Sequence, residues 1–556
     1  MKSIKYLPEL KLVKPIGGFH GVSAIFPKLR DVIDYEEKRI FINQGYPRFV
    51  THPLIKKVEI QHQKRFNAKG AISCHSYETA IFLVLDYFYR QNNKLYFDEG
   101  FPRELFEFLN QKFPNIIIKT DISDADVVFL MPKKWDFEAN QEGKTIVGIL
   151  GDEDLDINYK NIKFDILVYN DSINKIGIIL FFHIRYTILE ILRRHCGFNV
   201  SSRKIVRRKQ PSMEIVRKYE KSLKIRIADL ERGNPEYCYL YPSGMAAVFT
   251  SILSLLSNKR SKFIALGSLY VDTFRILEKW PQKFNLENTI FIRDAIEENL
   301  ERYINSNTAG VIVEIPSNPL IQLIDIKKVV EITHSRGAKV IVDNTIATPY
   351  NFNPFDYEVD IIIHSTTKFL SGKNNHIGGV LLTKDSKIAK KVKNFNRLVN
   401  LRMYFDDMKV LSRNLRNFER RMKLINENTK NIANFLYEHD SIEKVYYPSL
   451  EGNPYHFLMK KYLKGGSGLI SFVLRNSNKE NAELFYDNII SPILKGPSLG
   501  SEKTLLSPYV MMAHYEDSKE VLARLGFDFY LMRLSVGVEP VERIINSLKH
   551  ALKFVN

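Results

Sequence analysis

The stretch Asp360-Ile-Ile-Ile-His364-Ser365-Thr366-Thr367-Lys368-Phe369 decides how the rest of the chain is read. A β-branched run ends there in hydroxyl residues and a lysine, and an earlier run, Lys339-Val-Ile-Val-Asp343, ends in an acid. Short apolar runs separated by helical patterns read as parallel strands of βαβ units. The carboxyl ends of such strands form the edge where open α/β sheets bind ligands. The two runs therefore bring an acid and an amine to one ligand-binding edge.

Working outward, residues 263–266, 289–292 and 311–314 read as further strands, with helices over 271–280 and 326–335, the second closed by Gly337 past its end. An α/β domain over 197–393 follows. Beyond it, a long polar helix over 410–438, strands at 469–474 and 531–536 and a last helix from Val541 predict a smaller α+β domain over 394–556. Residues 203–232 carry 11 Lys/Arg against 4 Asp/Glu, with Ile215, Tyr219, Leu223, Ile227 and Leu230 at helical spacing. That pattern predicts an amphipathic helix whose charges face solvent. No RNP, helix-turn-helix or zinc pattern accompanies it, so no nucleic-acid partner is expected.

A chain of 556 residues with 45% hydrophobic and 12% aromatic content has enough apolar surface for three or four packed domains, which excludes disordered and fibrous classes. Lys+Arg 81 against Asp+Glu 63 leaves a net charge of +18, which permits an anionic partner without choosing one. Cys74, Cys196 and Cys238 are odd in number and far apart, so neither a disulfide framework nor a CxxC metal or redox site is available. The longest apolar run, 176–184, is far below the roughly 20 residues that span a bilayer. A cytoplasmic protein with no membrane partner and no metal is the expectation.

The edge residues suit one cofactor. Pyridoxal phosphate needs an amine for a Schiff base, an acid beside its pyridine nitrogen and donors for its phosphate. Lys368 is the expected amine, Asp343 the acid, and Ser365 with Thr367 part of the phosphate cup. The rest of the cup is read in Tyr241-Pro-Ser243-Gly244-Met245-Ala-Ala247, a turn opening a helix whose free N–H groups favour an anion. Taken singly, Asp343 also reads as a turn residue and Lys368 as a surface lysine.

From about Gly197 to Asn556 the sequence resembles the Cys/Met-metabolism pyridoxal-phosphate enzymes, the cystathionine γ-synthase-like group. The resemblance is carried by Ser243-Gly-Met-Ala-Ala247, Glu314-Ile-Pro-Ser-Asn318-Pro319, Val342-Asp343-Asn-Thr345, His364-Ser365-Thr-Thr367-Lys368 and Leu531-Met-Arg533-Leu-Ser-Val-Gly-Val-Glu539. A likeness to the fungal-type synthases rests on Ser498-Leu-Gly500-Ser-Glu-Lys-Thr504, Ser507-Pro-Tyr509, Ala513-His514-Tyr515 and Gly45-Tyr-Pro-Arg-Phe49.

The resemblance implies a fold type I pyridoxal-phosphate transferase: a mostly parallel seven-stranded-type sheet with a C-terminal α+β domain. It implies Lys368 and Tyr270 as catalytic, Tyr270 stacking on the pyridine ring, though Val271 and Asp272 stand where the family has glycines. Ser243, Gly244, Met245, Asp343, Ser365 and Thr367 would hold the cofactor, with Asn318 near its 3-hydroxyl; a core aromatic and a plain Asn-Pro turn are the plainer readings of Tyr270 and Asn318. Arg533 and Ser498 would hold the substrate carboxylate. Lys503 stands where many members carry Glu. The implied activity is γ-replacement on an O-acyl or O-phospho homoserine by cysteine or another thiol, in a homodimer or homotetramer acting on small amino acids. A γ- or β-lyase is the alternative enzyme, and a silent scaffold the non-enzymatic one, against which the intact Lys368, Asp343 and Arg533 argue.

The first 196 residues read as a decayed copy of the cofactor domain. Lys144-Thr-Ile-Val-Gly148 echoes Lys339-Val-Ile-Val-Asp343, Asp165 to Tyr169 echoes Asp360 to His364, and the interval from Gly148 to Asp165 equals that from Asp343 to Asp360. Ser76 to Phe82 parallels Ser243 to Phe249, 115–121 parallels 288–294, and 125–132 parallels 309–316. On this alignment Gly148 replaces Asp343 and Ile173 replaces Lys368, so the copy lacks both acid and amine. In related enzymes a Tyr-x-Arg motif reaches the partner's cofactor phosphate. Tyr46-Pro-Arg48 resembles it in the copy, whereas the catalytic half offers Arg203 without the tyrosine. The expectation is that Tyr46 and Arg48 serve the site at Lys368, within one chain or across a dimer. The plainer alternative is that they are packing residues and Arg203 alone makes the cross-dimer contact.

Overall fold

The computed structural model describes residues 25–39, 52–89, 91, 93–98, 100–112, 117–131, 143–151, 164–183, 187–206, 211–257, 259–283, 287–293 and 300–555. Three sheets organise the chain. The first contains β1 (Gly70–Cys74), β2 (Lys94–Phe97), β3 (Ile117–Ile118), β4 (Val127–Leu130), β5 (Thr145–Leu150), β6 (Ile166–Asp171) and β7 (Ile176–Phe181). The second contains β8 (Cys238–Tyr241), β9 (Lys262–Leu266), β10 (Ile290–Ile292), β11 (Thr308–Glu314), β12 (Lys339–Asp343), β13 (Ile361–Ser365) and β14 (Gly379–Thr383). The first runs β1-β7-β6-β5-β4-β2-β3 and the second β8-β14-β13-β12-β11-β9-β10, so each strand sits where its counterpart sits in the other sheet. In both, the last strand pairs antiparallel on either side and the others pair parallel. The inner parallel strands are largely buried, β4, β9 and β11 in all their residues, which is why they read as continuous apolar runs.

The two copies meet face to face. Phe82 and its counterpart Phe249 are 6.1 Å apart in an edge-to-face pair, and Phe198 and Phe395 complete the cluster. Ser243 Oγ donates to the carbonyl of Gly197 at 2.9 Å, and Ser76 Oγ donates to that of Val399 at 2.9 Å. Gly197 follows helix Thr187–Cys196 and Val399 follows helix Ser386–Leu398, each the helix after the last strand of its sheet. Counterparts that contact one another, and contacts that recur with the copies exchanged, are the mark of a two-fold, isologous interface. Here that interface lies within one chain, related by a pseudo-two-fold.

The third sheet is β15 (Ile442–Tyr446), β16 (Leu469–Leu474), β17 (Leu494–Lys495), β18 (Leu505–Pro508) and β19 (Met532–Ser535), in the order β15-β16-β19-β18-β17. Residues 25–39 pack here rather than on the first sheet. Phe26, Leu29 and Val32 join this core, and Phe26 N–H donates to Lys495 O at 2.9 Å.

Two expectations are corrected. The helix read over 410–438 is broken into Phe405–Asn414 and Phe418–Tyr437 by a tight turn at Leu415–Asn417. The break lets the buried Arg421 reach back to Asn414 O, at 3.3 Å, and to Asn417 Oδ1, at 2.8 Å. The basic helix runs only over Met213–Leu230; Leu223 and Ile227 are buried, but Ile215 and Tyr219 are 46% and 41% exposed. No helix among the described residues is long and apolar enough to cross a membrane. Cys74, Cys196 and Cys238 are buried free thiols, and burial pushes Cys74 and Cys238 up to about 12, far from a reactive thiolate.

Candidate active site

One cleft gathers most of the expected site residues. Ser243, Gly244, Met245, Tyr270, Asn318, Asp343, Ser365, Thr367, Lys368, Ser498 and Arg533 all line it. It lies at the carboxyl ends of the second sheet's parallel strands, roofed by the loop before β18 and by β19.

Lys368 follows β13 in a tight turn, its Nζ 2.9 Å from Ser498 Oγ. Arg421 clamps that turn from behind, donating to Phe369 O at 2.8 Å and Leu370 O at 3.0 Å. Burial lowers the guanidinium to about 10. The opposite wall approaches closely: a Cβ at Gly500, whose φ is +78, would lie 2.4 Å from Phe369 N. Ser498 holds φ +87, a conformation costing a non-glycine residue about 1–3 kcal/mol, and such strain clusters at functional sites.

Arg533 on β19 is 4% exposed and fixed on three sides. It donates to Asn318 Oδ1 at 2.9 Å and Ser498 O at 2.8 Å, and its guanidinium carbon lies 4.6 Å from the centre of the Tyr509 ring. Tyr509 accepts in turn from Asn318 Nδ2 at 3.3 Å. Tyr509 belongs to the motif Ser507-Pro-Tyr509, whose pattern alone assigns it no role.

Two carboxyls stand side by side on β11 and β12, Glu314 in register with Asp343. Burial raises both above the usual carboxylate range, and for Glu314 the neighbouring Asp343 charge adds to it. Glu314 accepts from Tyr270 N–H, and Asp343 accepts from Thr345 N–H at 3.0 Å. A cation arriving beside this pair would relieve it. A protonated ring nitrogen against Asp343 fits that need.

The phosphate cup differs in detail from expectation. Ser243 caps helix Gly244–Leu255 by accepting from Ala246 N–H at 3.1 Å, while its proton goes to Gly197. Thr367 Oγ1 accepts from Gly378 N–H at 3.1 Å. These hydroxyls hold the walls, which leaves the helix's first N–H groups and Ser365 facing the ligand. A Cβ at Gly244 would lie 2.8 Å from Ser365 Cβ, so only glycine lets helix start and strand end close into a cradle. The chain thus fits a phosphate at the helix start, an amine at Lys368 and a ring nitrogen at Asp343.

A model of the Cys/Met metabolism PLP-dependent enzymes matches residues 212–553. The chain belongs to that family. Its relatives include a Bacillus subtilis cystathionine γ-lyase, 30% identical over 60% of this chain and 86% of the relative. A Lactococcus lactis cystathionine β-lyase is 32% identical over 59% and 84%. Among solved structures, cystathionine γ-synthase from Xanthomonas oryzae pv. oryzae in complex with cystathionine superposes with a TM-score of 0.57 at 26% identity, covering 62% of this chain and 88% of that one. A Campylobacter jejuni protein described as an O-acetylhomoserine (thiol)-lyase, carrying a pyridoxyl-lysine phosphate, superposes at 0.56 with 27% identity over 60% and 86%. The family's cofactor is pyridoxal phosphate, and the first sheet of this enzyme lies outside the family match.

The remaining expected residues lie elsewhere. Arg203 is not at the cleft: its guanidinium pairs with the buried Asp407 at 2.8 Å and donates to Asn375 O. Within this chain it ties the segment that follows the copy to the loop before β14 and to helix Phe405–Asn414. Tyr46 and Arg48 lie outside the described residues. Conversely, Arg194 of the decayed copy and Asn199, just past its end, do line the cleft. No motif announces them, since their role depends on how two domains dock. Asp272 also lines it, and its signal was the departure from glycine already visible in the sequence.

Proposed function

We propose that this enzyme carries out γ-replacement, joining a thiol such as cysteine to an activated homoserine. The observation that carries the reading is the buried network Lys368–Ser498–Arg533–Asn318, which sets a guanidinium suited to a carboxylate and an amine suited to proton transfer in one cleft. Arg533, its guanidinium carbon 4.6 Å from the centre of the Tyr509 ring, offers its guanidinium to the substrate α-carboxylate. When bound, pyridoxal phosphate supplies an aldehyde that condenses with amines and a ring that takes up electron density. With that group in place, Lys368 Nζ would carry the α-proton and afterwards the β-proton, with Ser498 Oγ, 2.9 Å away, orienting the amine. Asp343 keeps the ring nitrogen protonated.

Across the whole reaction the Cγ–O bond breaks, the Cγ–S bond forms, and the thiol proton leaves with the carboxylic acid or phosphate. Ile346, Leu499, Met512 and Ala513 line the cleft with apolar groups, which favours a thiol over water at the reacting carbon. The likeness of Ser498 to Thr504 and Ala513 to Tyr515 to fungal-type synthases supports the same choice. Elimination is the second reading, supported by the lyases among the relatives: the γ-substituent leaves with a proton, water is consumed, and a 2-oxo acid and ammonia form. Incubation with O-acetyl-, O-succinyl- and O-phosphohomoserine, with and without cysteine, followed by mass spectrometry, separates them. The expected result is cystathionine only when cysteine is present; 2-oxobutyrate formed regardless of cysteine overturns the proposal.

A further inference from the structure

The turn that carries Lys368 is held from two sides. Arg421, on helix Phe418–Tyr437, grips one side; the other rests on the loop 373–378, which leads back to β14 and lines the cleft with Ile377. Thr366 N–H donates to Gly378 O at 3.0 Å, and Thr366 Oγ1 shares a hydrogen bond with His376 Nε2 at 2.9 Å. Asn414 Nδ2 bridges the two, donating to Ser371 Oγ at 2.8 Å and to Asn375 Oδ1 at 2.9 Å. A Cβ at Gly378 would lie 2.6 Å from Thr366 Oγ1 and 2.7 Å from His376 Nε2, so loop and turn meet without slack.

What pins the loop comes from the junction with the copy. Arg203, on helix Ser202–Val206, donates to Asn375 O at 2.5 Å and to Asp407 Oδ1 at 2.8 Å. The same short helix is fastened to the copy on its other side: Lys204 Nζ donates to His75 O at 2.8 Å, and Ile205 packs with Val200 on the first sheet's core. A buried carboxylate needs a cation or several donors to stay ionised. Burial raises the Asp407 carboxyl above its usual range, opposed by the Arg203 charge and by hydrogen bonds from Ser201 and Arg203. Burial, and then the Arg203 charge, lower His376 to about 3, so its ring stays neutral. His376 therefore serves Thr366 as a hydrogen-bond partner and leaves Asp407, 3.9 Å from its Nδ1, to the arginine.

We infer that the decayed copy serves the live site by positioning Lys368, and that Arg203 is the positioning residue through which it does so, acting by way of Asn375 and His376 on the turn. The inference rests on the reading that pyridoxal phosphate binds at Lys368. Loss of Arg203 releases Asn375 O and strands the Asp407 carboxylate. The loop then shifts, and with it the hydrogen bonds that His376 and Asn414 make to either end of the turn. Arg533 is spared, because Asn318 and Ser498 hold it from other elements.

The test is a double-mutant cycle on the full chain, comparing wild type, Arg203→Met, Thr366→Val and the double variant. One readout is amide hydrogen exchange of the cofactor-free protein, comparing residues 366–378 with β16. The others are the dissociation constant of added pyridoxal phosphate and the rate at which its absorbance changes on binding. Arg203→Met is expected to speed exchange over 366–378 but not in β16. It is also expected to weaken cofactor binding about 10-fold, the equivalent of about 1.4 kcal/mol, and to slow the absorbance change. The double variant should lose less than the product of the single losses, because both act on one bond. Arg203→Lys keeps a charge for Asp407 without the fork that also reaches Asn375, so it should recover part of the loss. Should Arg203→Met fail to fold, the cycle is run with Arg203→Lys. Unchanged exchange and affinity, exchange raised equally in β16, or losses that simply multiply overturn the inference. If wild type binds no pyridoxal phosphate, or Lys368→Ala leaves its absorbance unchanged, the underlying reading has failed instead.

Discussion

The two seven-stranded sheets share one strand order and have opposite chemistry at the same edge. On β12 the strand ends in Asp343, facing an open cleft; on β5 the counterpart is Gly148, where a Cβ would lie 2.6 Å from Phe164 and 2.9 Å from Leu167. Lys368 is buried in the live copy, whereas Ile173, its counterpart by sequence, is 89% exposed. The cofactor pocket of the first copy has been filled with side chains. What selection on packing preserved is the other face, because Phe82 and helix Tyr77–Tyr89 form part of the same core as Phe249 and Phe395. The interface is not symmetric in charge: three residues before Val399 stands Asn396, which donates to Tyr241 OH at 3.0 Å, where the copy offers Arg194 to the live cleft.

Phe82→Ala challenges this comparison most severely. The side chain is fully buried between the copies, so truncation is expected to cost about 3–5 kcal/mol in urea unfolding, with both sheets melting together. A first sheet that unfolds alone, leaving the catalytic half unaffected, would show that the copies are independent. Gly148→Ala is expected to cost about 1–3 kcal/mol by overpacking against Phe164, with cofactor binding unchanged. A neutral outcome would mean the silent pocket is not filled.

A smaller, pH-dependent effect sits at the seam. Lys204 Nζ donates to His75 O at 2.8 Å, and burial, with Arg402 nearby, lowers its pKa from 10.5 to about 7. Between those values the unfolded chain holds a proton that the folded chain releases, so stability rises with pH across that range. Thermal midpoints should show Lys204→Met gaining most over wild type near pH 7, with the gap closing toward pH 10.5. A pH-independent gap would place the ammonium in solvent.

Much of this was legible in the residues. Strands with continuous β-branched runs, such as Lys339–Asp343, and helix Ile326–Ser335 announced themselves by period and by a C-terminal glycine. The repeat was legible because buried strands constrain residue type even after the chemistry is lost. What could not be read depends on docking. Arg421 interrupts a helical pattern to hold the Lys368 turn, residues 25–39 leave their neighbours for the third sheet, and Arg194 reaches the cleft only across an interface. Ser243 was read as a phosphate ligand, but its hydroxyl is a helix cap and a tie to the copy, roles that the same residue type serves equally well.

The claim that one copy is live and the other silent is tested most directly by counting the cofactor. Borohydride reduction of the pyridoxal-phosphate-loaded protein, followed by proteolysis and mass spectrometry, should find one pyridoxyl group per chain, attached to Lys368, and none within residues 1–196. Two groups per chain, or one attached to a lysine of the first copy, would contradict the account.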